Sequence, residues 1–133
     1  MDWTVRLLHG FWDSWVHERD VLLPQGADHV TDGDATAYAA AYGVFIAAAV
    51  APMLGEPVRA TLRLGGDGGG TFDVGGRDSV TLTVDRTVTG GPSAAEVADA
   101  LAGRSPAAVF SDVPAGLFRM AEFFNTPAEP RPA

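Results

Sequence analysis

The chain has 133 residues, 47% of them hydrophobic, which is enough for one ordinary domain with its own core. Its net charge of −8 argues against binding to nucleic acid or to anionic membrane surfaces. The chain has no cysteine and all nine basic residues are arginine, which excludes disulfides, thiolate metal ligands and lysine Schiff bases.

The first predicted element is a helix from Trp3 to Leu22. Asp2 is a suitable N-cap for it, and Pro24 with Gly26 ends the segment. A polar loop follows over residues 23–33. No basic segment followed by an apolar run precedes the helix, so we see no secretory signal and expect a cytoplasmic protein.

The second predicted helix begins with Asp34 as its cap, is kinked or ended by Pro52 and stops at Gly55. Residues 35–55 carry no charge and are long enough to cross a bilayer. However, the segment is mostly alanine and no Lys or Arg cluster flanks it. We therefore predict a packing helix rather than a membrane span. Its large residues share one stripe: Tyr38, Tyr42, Phe45, Ile46 and Met53.

The periodicity changes to two after Glu56-Pro57, where apolar and polar residues alternate. This pattern predicts three strands joined by glycine-rich turns at 65–70 and 75–78, an antiparallel meander with one face to cover. The inward-facing residues are Val58, Ala60, Leu62 and Leu64 in the first strand, Phe72 and Val74 in the second, and Val80, Leu82 and Val84 in the third.

Two further helices are expected to cover the sheet. Ser93 and Glu96 have the spacing of a capping box, and Gly103 stops that helix. A last helix begins near Pro114 and ends at Pro127. The predicted fold is thus α+β: a helical segment over 1–55, a small antiparallel sheet with two helices over 56–126, and a disordered tail over 127–133.

The chemistry is concentrated on the first helix. Asp13 and His17 lie four residues apart, so their side chains point the same way, and Arg6, His9 and Asp20 lie on the same side. Aromatic residues surround this stripe, so we expect the ionisable groups to face the protein interior. A carboxylate and an imidazole at this spacing form half of a divalent metal site, with Asp20 orienting the imidazole. The alternative is a hydrogen-bonded helix face or a salt-bridge cluster with Arg6 and Arg19.

Other candidate sites have simpler interpretations. The acidic loop with Asp28, His29 and Asp32 lacks the ligand order of a calcium loop. The Gly65–Gly70 turn has no Lys-Ser/Thr and does not lead into a helix, so it is not a phosphate loop. Arg104 follows the helix stop at Gly103, where it can satisfy terminal carbonyls or bind a carboxylate substrate.

The segment Asp13-Ser-Trp-Val-His17-Glu-Arg-Asp20-Val resembles the last metal-binding helix of the mycothiol-dependent maleylpyruvate isomerase family. That family has a DinB-like four-helix bundle followed by a small sterol-carrier-like domain, and the segment from about Glu56 to Phe124 is similar to the latter. The resemblance implies that Asp13 and His17 are zinc ligands, that Asp20 and His9 lie behind them, and that Arg104 binds substrate.

The family's remaining zinc-ligand histidine lies on an earlier bundle helix, which has no counterpart in this sequence. The resemblance is therefore to an N-terminally truncated member. A stripe of Leu8, Phe11, Trp12 and Trp15 would be left as an apolar patch. We expect a homo-oligomer, a separate chain that completes the bundle, or burial of the first helix against the second helix and the sheet.

Two functions follow as hypotheses. The first is a zinc-binding, mycothiol-dependent isomerase or thiol transferase acting on a small molecule, without activity in the single chain if the third ligand is missing. The second is a non-catalytic, sterol-carrier-like protein for an apolar ligand, or an interaction module. The alanine-rich helix and the phenylalanines Phe118, Phe123 and Phe124 favour the second.

Overall fold

The computed structural model describes residues 3–22, 25–26, 33–76, 79–87, 90–104 and 113–124 of the chain. The first helix, α1, spans Trp3–Leu22 and the second, α2, spans Gly33–Val50, followed by a 3-10 turn over Ala51–Leu54. The strands are β1 (Ala60–Leu64), β2 (Gly70–Gly75) and β3 (Thr81–Asp85). The remaining helices are α3 (Ala94–Leu101) and the short α4 (Ala121–Phe124), which is preceded by a 3-10 turn over Ala115–Phe118. The predicted α+β fold is confirmed.

The sheet is a three-stranded antiparallel meander in the order β1-β2-β3, as predicted. Its alternation places Leu62, Leu64, Phe72 and Val74 in the core, while Thr61 and its neighbours on the other face remain exposed. The covered face packs against α2, so one side of the meander forms core and the other faces solvent.

The helix α2 is the central element of the fold. It packs against α1, α3, β2, β3 and the 3-10 turn over Ala115–Phe118, and alanines at the contacts allow this close approach. The resulting core contains residues of both α1 and α2 together with the sheet and α3. By length and composition alone, Gly33–Leu54 is apolar enough to cross a membrane. This is weak evidence for a membrane span, because half of that segment is buried inside the protein.

Several predicted boundaries are confirmed and others are wrong. The limits of α1 agree, and Gly55 ends the second helical segment in a left-handed conformation with φ of 82°. Gly103 likewise has φ of 74°, just after α3. Asp34 is not the cap of α2, because the helix already begins at Gly33 and Asp34 lies in its first turn.

Two predictions about the last helices are corrected. Ser93 is the N-cap residue of α3, but its side chain makes no capping hydrogen bond; the residue instead bridges to Gly65 beside β1. The single helix expected from Pro114 is split into a 3-10 turn and α4. Gly116 lies in that turn and packs so closely on Val58 that an added Cβ would lie 2.7 Å from its Cγ2, so close packing outweighs helix continuity here. Asp2, Pro24, Pro127 and the predicted tail lie outside the described residues.

Candidate functional site

The candidate metal pair lies on α1, but on its solvent-facing side. Side-chain exposure is 55% for Asp13 and 70% for His17, so the expectation that this stripe faces the interior is wrong. The buried side of the helix carries Trp12, Trp15 and Val16, which pack against the rest of the core. The fit of these side chains against α2 determines which face of α1 turns inward.

The two ligand candidates are brought close together. Asp13 Oδ1 lies 3.4 Å from His17 Nε2, as the one-turn spacing predicts. Two ligand atoms that each lie about 2.1 Å from one ion at the tetrahedral angle are themselves about 3.4 Å apart. The separation of this pair therefore equals the edge of a tetrahedral divalent site, and the pair offers one carboxylate oxygen and one imidazole nitrogen, a donor set suited to zinc.

Within the described part of the chain, no group of three or more His, Asp or Glu side chains is arranged to hold a metal ion. The third protein ligand that a zinc site requires must therefore come from outside this set. Because the pair is exposed, such a ligand can approach it from another polypeptide.

Asp20 lies on the other side of the imidazole. Its Oδ2 is 3.8 Å from His17 Nδ1, which is near the ring but beyond hydrogen-bonding distance. Its carboxylate is bound instead by Arg104, whose Nε donates to Oδ1 at 2.6 Å and whose Nη2 donates to Oδ2 at 2.8 Å. This bidentate hydrogen bond, and then the charges of Arg104 and His17, lower the pKa of Asp20.

The structure thus gives Arg104 a defined position. Its Nη1 also donates to the carbonyl oxygen of Ala102 at 2.8 Å, which is the terminal-carbonyl contact expected after α3. The guanidinium therefore links the C-terminal ends of α1 and α3. A role in binding a substrate carboxylate stays a prediction, and such a carboxylate would have to compete with Asp20.

His9 is turned towards α2. Its Nδ1 lies 2.7 Å from the hydroxyl oxygen of Tyr42, and its ring also contacts Trp12. Burial raises the pKa of Tyr42, so the phenol stays protonated beside the imidazole. His9 is thus held one turn before Asp13 by a contact with the core, and its predicted role behind the metal ligands stays a prediction.

Sequence reasoning missed the role of Arg19. This side chain is buried, with 5% exposure, pairs with Asp99 of α3 through Nε, and places its guanidinium carbon 3.4 Å from the centre of the Trp15 ring. The predicted alternative, a surface cluster of Arg6 and Arg19 with the acidic stripe, is wrong because Arg19 lies on the opposite side of α1. The spacing of Trp15 and Arg19, one turn apart, was the available signal for this stacking.

Among the described residues, concave surfaces also lie elsewhere, and two of them are considered as ligand sites. An apolar pocket of about 200 Å³ between α1, α2 and β3 is lined by Val5, Leu8, Ala41, Tyr42, Phe45 and Leu82. A wider, polar depression of about 420 Å³ covers the outer face of the sheet around Arg59, Thr61, Asp73 and Thr83. Only the first has the apolar lining expected for a small hydrophobic ligand.

Comparison of the chain with models of known protein families, with curated proteins and with solved structures gives no match. The resemblance to the maleylpyruvate isomerase family therefore rests on the residues of the Asp13–His17 segment and stays a prediction.

Proposed function

We propose that this chain is a cytoplasmic, zinc-binding protein of the mycothiol-dependent maleylpyruvate isomerase type. In this proposal Asp13 and His17 are two of the metal ligands, and a third comes from a second polypeptide. The observation that carries the proposal is the 3.4 Å separation of Asp13 Oδ1 and His17 Nε2 on an exposed helix face. A plain ion pair of Asp13 and His17 is the alternative at the same distance, and metal content separates the two.

The surrounding residues have roles that follow from their contacts. Arg104 fixes the Asp20 carboxylate, and Asp20 places negative charge beside the Nδ1 edge of His17. A negative charge on that side makes the imidazole a better ligand. Asp20 is therefore a positioning residue, and Arg104 acts through it.

A bound zinc ion would lower the pKa of a thiol such as mycothiol and so favour its thiolate form. The pair lies on the solvent-facing side of α1, and the coordination position that the protein ligands leave open would be the place where a small thiol binds. Isomerisation or thiol transfer is the reaction class that this arrangement would serve.

The decisive experiment is metal content measured by mass spectrometry on untagged protein that has been supplied with zinc. We expect stoichiometric zinc in the native chain and its loss in Asp13→Ala and in His17→Ala. The matched control is Asp34→Asn, which removes an exposed carboxylate on α2 and should leave the zinc content unchanged. Equal zinc in all four proteins, or none in any, would reject the site.

Cobalt(II) provides a second readout, because its visible absorption reports tetrahedral coordination. We expect the native protein to show the visible absorption of tetrahedral cobalt(II). Asp20→Asn and Arg104→Gln should both shift the absorption maximum, and in the same direction. A merely structural role of Asp20 would change protein stability and leave the spectrum in place.

A second candidate function, a carrier of a small apolar ligand, is favoured by the pocket between α1, α2 and β3. Its volume of about 200 Å³ fits a compact molecule rather than a long acyl chain. The hydroxyl of Tyr42, already bonded to His9, offers a polar group at its wall. Saturable binding of a small fluorescent apolar probe that is lost in Leu8→Trp and kept in Asp13→Ala would favour this function over the first.

A further inference from the structure

Six residues of α1 are spaced alternately four and three apart and are all exposed to solvent. This is the heptad spacing of a helix that packs lengthwise against another helix. The residues are Trp3, Leu7, Gly10, Ser14, His17 and Val21, which we call the α1 seam. The seam includes one of the two metal ligand candidates and runs beside the other.

We propose that the α1 seam binds the α1 seam of a second copy of this chain in antiparallel orientation, and that zinc controls this pairing. The control by zinc rests on the proposed function. The pairing itself rests on the seam and can be tested without metal.

The seam is complementary to itself when two copies run in opposite directions. Each large residue then lies opposite a medium one, and small residues meet near the middle, where two helices can approach closely. The pairs are Trp3 with Val21 of the partner subunit, Leu7 with His17 of the partner subunit, and Gly10 with Ser14 of the partner subunit.

The flanking charges also favour the antiparallel arrangement. It places Arg6 opposite Asp20 of the partner subunit, an attractive pair that occurs twice across the two-fold axis. A parallel arrangement would instead place Asp13 opposite Glu18 of the partner subunit, a repulsive pair that also occurs twice. The phenyl ring of Phe11 packs edge-on against Tyr38 of α2 and is 40% exposed, and in this arrangement its exposed part lies near the axis.

The exposed apolar area is close to what a stable pair needs. Trp3, Leu7 and Val21 are 74%, 65% and 58% exposed. Together with Phe11 they present on the order of 450 Å² per chain, if a whole aromatic side chain has about 150–250 Å² and leucine and valine lie at the lower end of that range. Two copies can therefore bury up to about 900 Å² from these residues, and contacts of the polar flanks add to this area, against the ~1,000 Å² of a specific interface.

Metal dependence follows from the residues at the centre. Asp13 lies opposite Asp13 of the partner subunit, so two carboxylates repel each other near the axis. A cation held by Asp13 and His17 removes that repulsion. In this arrangement the partner's Asp13 offers that cation a further carboxylate, in the role of the third ligand that the described part of one chain does not provide.

The test is sedimentation velocity of the native chain in zinc and in EDTA. We expect the dimer dissociation constant to be at least tenfold lower in zinc. Gly10→Arg should be monomeric under both conditions, because its side chain fills the centre of the seam. It should still fold, since nothing lies within 4 Å of an added Cβ at Gly10 and arginine favours a helix more than glycine does. Met53→Arg, which removes an 82% exposed apolar residue outside α1, should behave as the native chain.

Asp13→Asn separates the pairing from the metal. It removes the central repulsion together with a zinc ligand, so we expect a dimer that forms equally in zinc and in EDTA. If no zinc binds to the native chain while Asp13→Asn dimerises, the proposed function fails and the pairing stands. If zinc binds but the native chain stays monomeric, or if Gly10→Arg dimerises as well as the native chain, the pairing is wrong.

Discussion

The two long sides of α1 differ in what holds them in place. One side buries Trp12, Trp15 and Val16, and its charged residue Arg19 is paired with Asp99 beneath the surface. The other side exposes Asp13 and His17 to solvent, with Asp13 Oδ1 3.4 Å from His17 Nε2.

The buried side of α1 therefore contributes to the stability of the fold, whereas the exposed side carries the residues of the candidate metal site. The buried side is constrained by packing, where the loss of a few atoms is felt. The exposed side is constrained mainly by the helix geometry, because a one-turn pair of an aspartate and a histidine on a solvent-facing surface stabilises a helix only slightly. The comparison is supported if substitutions on the buried side change the free energy of unfolding, while substitutions on the exposed side change metal binding and leave stability nearly unchanged.

The largest effect is expected for Trp15→Ala. The indole is 4% exposed and stacks with Arg19, so its loss leaves a cavity and removes a cation–π contact. We expect the free energy of unfolding to fall by about 3–5 kcal/mol. The matched change on the other side, Trp3→Ala, should cost less than about 0.5 kcal/mol. Urea denaturation at low protein concentration in EDTA measures both, and similar losses would contradict the comparison.

The next largest effect is expected for Arg19→Ala. Removal of this buried guanidinium takes away its ion pair with the Asp99 carboxylate, which costs about 3 kcal/mol. Arg19→Met keeps an apolar stem against Trp15 and should recover part of the loss. Arg6→Ala, an exposed arginine on the same helix, serves as the control with an effect near zero. Equal destabilisation by Arg19→Ala and Arg6→Ala would mean that Arg19 is solvated.

The sequence predicted the elements well because their signals are local. The period of two places Leu62 and Phe72 inside the sheet, and the limits of α1 and the end of the second helix at Gly55 follow from residue type. The three-stranded meander follows in turn from short glycine-rich connections between alternating segments.

The orientation of α1 could not be predicted in the same way. Apolar residues occur on both of its sides, at Trp12 and Trp15 but also at Trp3 and Leu7. The choice between them depends on the fit to α2 and on Asp99, which lies 80 residues from Arg19. The distance between Asp13 and His17 was predictable because it is fixed within one helical turn, whereas their exposure was not.

A smaller effect is expected at the edge of the candidate site. The pair of Asp20 and Arg104 is bidentate but partly exposed, so a double-mutant cycle with Asp20→Asn and Arg104→Gln should give about 0.5–1 kcal/mol at neutral pH. The pKa of Asp20 is lowered in the folded chain, chiefly by its hydrogen bond with Arg104. The stabilisation is therefore present above the pKa of the unfolded chain, about 4, and is lost as the pH falls through the folded value.

Repeating the cycle across the acid range checks this sign. The pair of Arg86 and Asp34, 3.6 Å apart and more exposed, is the control and should show little coupling at any pH. A coupling between Asp20 and Arg104 that grew as the pH fell would contradict the geometry described for this carboxylate.

The smallest effect on stability is expected for His17→Ala, and it sharpens the comparison most. Because the imidazole is 70% exposed, we expect a change within about 0.5 kcal/mol in EDTA. In zinc, however, a ligand that binds the folded chain stabilises it by mass action, by about 2.7 kcal/mol at a hundredfold excess over its dissociation constant. The native chain should gain this stabilisation and His17→Ala should not. The thermal midpoints of both proteins in EDTA and in zinc measure the difference, and an equal gain in both would assign the zinc effect to a site other than Asp13 and His17.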